Sequence, residues 1–307
     1  MQKYTFNFQI GDVVFYRKVI SIAKISTGRP FGEKVEDITN LETTSSELPH
    51  FFRRVELNDN AIHQPYTIKN NKIFYVRSIF PNYYLKINSF NSFDEYMGKF
   101  SGKTRSTLNR KFRNALNQGF SYKVYTTPSD VEDFHNFACI VGEKTYQHKL
   151  FNSSIPSDSA FKEKMKSLAN DGCFLGLILF FENEPCAYLY CPIIGGNYIY
   201  SYLGYLKKYA ENSPGTVLQI AMLMHVYENP SSAKTFDFTE GDGKHKETFA
   251  TNKALCCNCL VLENNLLNRT IVRNHIYVDN FSKFLGRFLD KYNLREKIKK
   301  LIRKAAS

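Results

Sequence analysis

The chain has 307 residues, 43% of them apolar and 23% charged, with 26 Phe, 20 Tyr and no Trp. That composition excludes a disordered, fibrous or linker-type chain and fits one large domain or two of about 150 residues each. The net charge of +12 is concentrated, with nine Lys or Arg against two acids in residues 281–307 and an acid-free basic cluster over 99–113, which excludes a uniformly basic coat for nucleic acid and calls for local anionic partners.

Residues 1–95 read as strands and loops. Apolar stretches at 13–16, 19–25, 51–57, 73–77 and 83–87 are separated by Asn, Gly and Pro, the pattern of strands joined by turns. Residues 103–118 predict a helix: Leu108, Phe112, Ala115 and Leu116 recur at helical spacing, Arg105, Arg110, Lys111 and Arg113 take the other face, and Gly119 ends it. A strand follows at 120–125. Ser129 with Glu132 predicts a capping box for a helix reaching 149, and Ser157 caps a second helix over 158–170. Strands are expected at 173–181, 186–193 and 198–205, the last two joined through Gly195-Gly196-Asn197, a hairpin signal. A helix over 215–228 starts behind Ser213-Pro214. A strand at 234–238, a helical turn near 246–250, a strand at 254–262 and a basic amphipathic tail complete the chain.

From residue 120 the order is β-α-α-β-β-β-α-β-(α)-β, that of the GCN5-related N-acetyltransferase fold. Three segments extend the likeness. Tyr96, Ser101, Lys103 and Arg105, with Arg110, resemble the entry helix of the CelD-type acetyltransferases, a GCN5-related subgroup close to the FemAB/FemX peptidyltransferases. Ser213-Pro214-Gly215 resembles that subgroup's later helix start. Asp237, Glu240, Gly241 and Asp242, followed by Lys246, resemble its acidic segment; His245 stands where the subgroup usually has Tyr. The resemblance covers 95–265. It implies an α/β (α+β) fold, a mixed central sheet flanked by helices, preceded by a β-rich region open to reading as a degenerate second copy. The expected division is 1–95, 96–265 and 266–307.

The resemblance also implies chemistry. A helix N-terminus presents free N–H groups and a positive dipole end to a phosphate. Ser213, Gly215, Thr216 and Val217 are therefore the expected holders of the pyrophosphate of acetyl-CoA or another acyl-CoA. Lys246 would stabilise the carbonyl oxygen as it becomes an oxyanion, while Asp237, Glu240 and Asp242 would orient or deprotonate the acceptor amine. Read as residues alone, Lys246 also fits a surface loop lysine and Asp237 a carboxylate holding loop amides. His245, Tyr146, His148 and Tyr202 are further proton-handling candidates. The implied reaction is direct acyl transfer to a small-molecule amine, an amino sugar of bacterial polysaccharide synthesis being the acceptor the subgroup suggests. Two alternatives stay open: transfer from an aminoacyl-tRNA, for which the basic cluster near 103–113 provides charge, and a non-catalytic membrane-associated scaffold. Residues 281–307 read either as a helix on an anionic membrane or as a helix packed on the body with a solvated basic face. Seven Cys without paired CxxC motifs point to a reducing cytosol and no metal. The sequons at Asn152 and Asn268 follow no secretory leader, and no apolar run reaches the roughly 18 residues of a membrane span.

Overall fold

The computed structural model describes residues 2–11, 13–27, 34–41, 48–58, 64–145 and 154–291. Tyr146, His148, the Asn152 sequon and the tail from 292 onward lie outside the described residues, and the helix expected to reach 149 ends at Glu143. In chain order the strands are β1 (Gln2–Ile10), β2 (Val13–Ile22), β3 (Lys24–Thr27), β4 (His50–Glu56), β5 (Tyr66–Lys69) and β6 (Lys72–Lys86). Helices α1 (Phe93–Gly98) and α2 (Gly102–Asn117) follow, then β7 (Phe120–Tyr125), α3 (Val131–Glu143), α4 (Ser159–Asn170), β8 (Gly176–Phe181), β9 (Glu184–Tyr190), β10 (Ile193–Ile194), β11 (Asn197–Ile199) and β12 (Tyr202–Tyr205). The chain continues with α5 (Pro214–Glu228), β13 (Thr235–Glu240), α6 (Lys244–Phe249), β14 (Asn252–Glu263) and α7 (Leu266–Lys291). Two compact units result: Pro81–Ala254, and a second drawn from both chain ends, up to Phe80 and from Leu255 on.

In the chain-end unit β1 and β2 form an antiparallel hairpin, β3 runs parallel to β4, and β4 pairs antiparallel with β14. The β5–β6 hairpin turns on Asn70 and Asn71, both at positive φ, the turn chemistry that Asn tolerates. Val272 and His275 of α7 are fully buried, and Val272 joins Phe6, Tyr75 and Leu260 in one core. The expected cuts after 95 and 265 differ from the observed boundaries. The physical reason is β14: Cys257, Cys259 and Val261 share a core with Phe74, Val55 and Leu57 of the chain-end unit. Strands β1 and β5 were not among the expected elements, although Tyr4, Phe6, Phe8 and Ile10 alternate along β1.

In the Pro81–Ala254 unit the elements follow the predicted order as far as α6, with β10 added and the strand expected at 198–205 divided, and the fold is the mixed α/β arrangement of the GCN5-related class, with the β-rich N-terminal region as an addition. One layer is the antiparallel run β12-β9-β8-β7. A second is β10-β11-β13, continued by residues 82–86 of β6. Helix α5 is buried nearly all round, by Val217, Leu218, Ile220, Ala221, Met222, Leu223 and Val226, which marks it as the central helix rather than a surface amphipath. Each of these side chains other than Ala221 contributes roughly 1.5–3 kcal/mol when fully buried.

Two caps differ from expectation. Thr127, not Ser129, starts the first helix: the Asp130 carboxylate accepts from the Thr127 amide and hydroxyl at 2.9 and 2.7 Å, because Pro128 already occupies the first helical position. Asp158, not Ser157, caps α4, accepting from Phe161 N at 2.9 Å. The strand expected at 198–205 is two strands, β11 and β12.

Candidate active site

The break between β11 and β12 builds the site. The amide of Tyr200 donates to Asp237 O of β13 at 2.9 Å, whereas the next amide, Ser201, donates to Tyr190 O of β9 at 3.1 Å. Consecutive N–H groups thus commit to different strands. The parallel β11–β13 ladder ends at Ile199↔Asp237, and β12 continues alongside β9, from Tyr202↔Tyr190 to Tyr205↔Ala187. The strands expected at 198–205 and 234–238 thus diverge after Tyr200. It opens the sheet where β13 enters its acidic segment and where β12 leads, through the turn Lys207–Asn212, into α5.

On the β13 side the backbone is bulged between Asp237 and Glu240. Thr239 sits at φ +65°, an unfavourable conformation for a β-branched residue that persists only where its surroundings enforce it. The enforcement comes from Asp237. Its buried carboxylate accepts from the Thr239 amide at 2.7 Å and from Asn82 Nδ2 at 2.8 Å. The Lys246 ammonium locks the outer side, donating to Glu240 O at 2.7 Å and Thr239 O at 3.5 Å. Two of its three N–H donors are thereby engaged by the bulge. Burial lowers the Lys246 pKa, and the carboxylates of Asp237, Glu240 and Asp242 oppose that shift. Glu240 and Asp242 are exposed, and the Tyr83 hydroxyl reaches Asp242 at 3.3 Å. His245 packs its ring 6.1 Å from that of buried Tyr200; desolvation and the Lys246 charge lower its pKa. The four acidic and basic candidates predicted from sequence therefore meet at one bulge. Tyr202 lies on β12 instead, stacked on Tyr190.

The sequence marks Tyr96 only through the resemblance, and Lys99 only as the start of the basic cluster. Their side chains hold α6, the helix that carries Lys246. Lys99 Nζ donates to the carbonyls of Ala250, Phe249 and Thr248 at 2.6, 2.9 and 3.4 Å, and the Tyr96 hydroxyl donates to Phe249 O at 2.7 Å. A six-residue helix leaves its last carbonyls without intrahelical partners, and these two side chains supply them. Burial holds the Lys99 pKa down at about 8. No local sequence signal marks this contact, because the carbonyls it satisfies lie on a helix some 150 residues away.

The predicted phosphate-binding residues start α5. Ser213 is left-handed, at φ +55°, and Pro214 takes the first helical position. Thr216 N and Val217 N both donate to Ser213 O, at 2.9 and 3.1 Å, so Gly215 is the first helical residue with an amide outside that bond pair. A Cβ at Gly215 would lie 3.2 Å from Leu203 Cδ2 of β12, so glycine there serves close packing as well. Lys207 and Lys208, exposed in the turn that feeds α5, add positive charge to this end.

No thiol is activated at the site. Cys186 and Cys257 are pushed up by burial to about 12, and Cys191 and Cys259 are raised as well. Cys139 Sγ lies 3.6 Å from His135 Nε2, but that nitrogen also bonds Pro156 O at 2.9 Å; a nitrogen donating to a carbonyl cannot accept the thiol proton. Among the described residues no group of three or more His, Cys, Asp or Glu could hold a metal ion.

No curated protein matches the chain. Among solved structures it is similar to L-PGS of Bacillus licheniformis, at 15% identity and TM-score 0.48 over 74% of this chain and 72% of that one. It is similar to FemX, at 14% identity and TM-score 0.45 over 62% and 64% of the two chains. It is also similar to a GCN5-related N-acetyltransferase of Kribbella flavida, at 12% identity and TM-score 0.35 over 61% and 59%. Residues 102–247, which hold α2, the diverging strands, the start of α5 and the Lys246 bulge, match the family model of the acetyltransferase (GNAT) domain, and the chain accordingly contains a GNAT-like acyltransferase domain.

Proposed function

We propose that the protein transfers an acyl group from acyl-CoA, acetyl-CoA being the first donor to test, directly to the nitrogen of a small-molecule amine. The observation that carries this reading is the change of hydrogen-bond partner between Tyr200 and Ser201, which opens the sheet between the α5 N-terminus and the Lys246 bulge. The Gly215 amide, the helix dipole and Lys207 and Lys208 suit a pyrophosphate. The remaining Lys246 donor suits the thioester oxygen. The amine nitrogen bonds to the carbonyl carbon, the carbon–sulfur bond breaks, and CoA leaves as the thiol with the proton that the amine loses. Glu240 and Asp242, exposed beside Lys246, are the acids able to relay that proton, while Asp237 holds the bulge. Alignment of two reactants and oxyanion stabilisation supply most of such a rate enhancement. The raised thiols support transfer without an acyl-cysteine, and seven cysteines with no disulfide among them support a reducing compartment. The CelD-like motifs favour an amino-sugar acceptor of polysaccharide synthesis. An aminoacyl-tRNA donor is the second reading, favoured by the exposed Lys103, Arg105, Arg110, Lys111 and Arg113 of α2.

Titration calorimetry with CoA tests the first reading. Wild type and Gly215→Ala should bind alike within a few-fold, the alanine reporting the Leu203 contact alone. Gly215→Asp, which sets a carboxylate against the pyrophosphate, should lose binding by about tenfold or more. Equal binding by wild type and the aspartate variant removes the site. No binding by wild type removes CoA and leaves the tRNA reading, whose activity would fall steeply with salt.

A further inference from the structure

Helix α7 has two apolar faces, and the body covers one. Val272 and His275 are fully buried, and Asp279, one turn on, pairs with Arg77 at 2.6 Å. Gly11 N, in the β1–β2 turn, donates to Ser282 Oγ on the same side at 2.9 Å. The opposite side carries Tyr277, Phe281, Phe284 and Phe288 at i, i+4, i+7 and i+11, one continuous stripe at 3.6 residues per turn. Tyr277 is 70% exposed, Phe284 59% and Phe281 52%. Side chains as large as Tyr277, Phe281 and Phe284, ordered in a stripe and more than half exposed, mark an interaction surface. The hairpin tip extends it: Phe15 and Tyr16 of β2 are more than half exposed and line, with Phe8, Ile271, Tyr277 and Val278, an open groove of about 450 Å³.

Charge selects the occupant. Arg273, Lys283 and Arg287, all exposed, run along α7 beside the aromatic stripe, and Arg17 is exposed on the hairpin. Apposing two copies through this face would bring like charges together, which is unfavourable. Anionic lipid head groups neutralise them, while aromatic rings suit the boundary between head groups and acyl chains. Beyond Lys291 the sequence continues with six further Lys or Arg against one Glu. Among the described residues no helix is long and apolar enough to cross a membrane, so α7 would lie on a bilayer rather than span it.

We infer that the outer face of α7, with the tip of the β1–β2 hairpin, docks on an anionic lipid bilayer. The inference rests on the chain-end unit alone and stands apart from the acyl-transfer reading. Flotation of the full chain with phosphatidylglycerol-rich and pure phosphatidylcholine vesicles tests it. Wild type should float with the former only and be released by high salt. The double variant Tyr277→Glu/Phe284→Glu and the charge reversal Arg273→Glu/Arg287→Glu should each lower the bound fraction by about tenfold or more, with circular dichroism melts matching wild type. Wild type that stays unbound overturns the proposal, as does binding that both variants retain. A wild-type dimer in light scattering that Tyr277→Glu/Phe284→Glu turns into a monomer, without lipid binding, assigns the face to a second copy instead and also overturns it.

Discussion

Lys246 closes the Thr239 bulge through two backbone carbonyls, and the proposed reaction assigns its third donor to the oxyanion. Lys246→Ala should therefore lower kcat by roughly 10²–10³, the usual cost of one oxyanion donor, with CoA affinity nearly unchanged in calorimetry. Normal turnover would assign the oxyanion to another group, and a trapped acyl-cysteine would replace direct transfer altogether. Lys99 acts one step further out. Lys99→Met keeps much of the aliphatic length over the Tyr96 and Phe100 rings, to which Nζ lies 4.9 and 4.8 Å, but removes the bonds to three carbonyls. We expect a loss of about 1.5–3 kcal/mol in denaturant melts, the range for hydrogen bonds from a charged donor, and a lower kcat with KM for the donor unchanged. Lys99→Arg, which retains charge and donors, should recover part of both.

At the scale of the element, the opening of the sheet depends on how β12 is held. Gly204 lies within β12 over the ring of Tyr188, and a Cβ there would fall 2.4 Å from Tyr188 Cε1. Tyr188 is buried and its hydroxyl accepts from Ile155 N at 3.2 Å, so the ring has little room to yield. Gly204→Ala should cost about 1–3 kcal/mol, the range for overpacking a tight core, and weaken CoA binding by moving the strand that leads to α5. Unchanged melting and binding would show that β12 adjusts freely. The sequence pattern read 198–205 as one strand because Tyr198, Tyr200, Tyr202 and Leu203 are uniformly apolar or aromatic. Which backbone partner each amide takes is a matter of neighbours that no local pattern encodes.

At the scale of the molecule, one unit is closed by the two ends of the chain, and His275 stands at that closure. Its ring is fully buried, 2.8 Å from the Tyr75 hydroxyl through Nδ1 and 3.1 Å from Asn7 O through Nε2. Desolvation and the Arg77 charge lower its pKa, and Asp279, 3.8 Å away, opposes them. The unfolded chain, with a histidine pKa near ~6.5, then takes up a proton that the folded chain refuses. Stability is full above that value and falls as pH drops below it, by at most about 1.4 kcal/mol per pH unit. Urea midpoints measured at neutral and mildly acidic pH should show a steeper decline for wild type than for His275→Gln. Parallel declines would assign the acid sensitivity to His225 or His245, whose pKa values are also lowered.

Much of the acyltransferase unit was legible in local signals. Helical spacing located α2, the Gly195-Gly196 turn located the β10–β11 hairpin, and Ser213-Pro214 located the start of α5, because capping, periodicity and turn chemistry act over a few residues. Asp237, Glu240, Asp242 and Lys246 lie within ten positions, so their meeting was legible too. Three things were not. The bulge with Thr239 at positive φ depends on the Asp237 carboxylate and on Asn82, far away in sequence. The role of Lys99 depends on carbonyls around residue 249. The membership of β14 depends on pairing with β4 and on a core it shares with residues near the N-terminus. Each is a contact between distant segments, and its free energy comes from burial and hydrogen bonding that exist only once those segments are packed together.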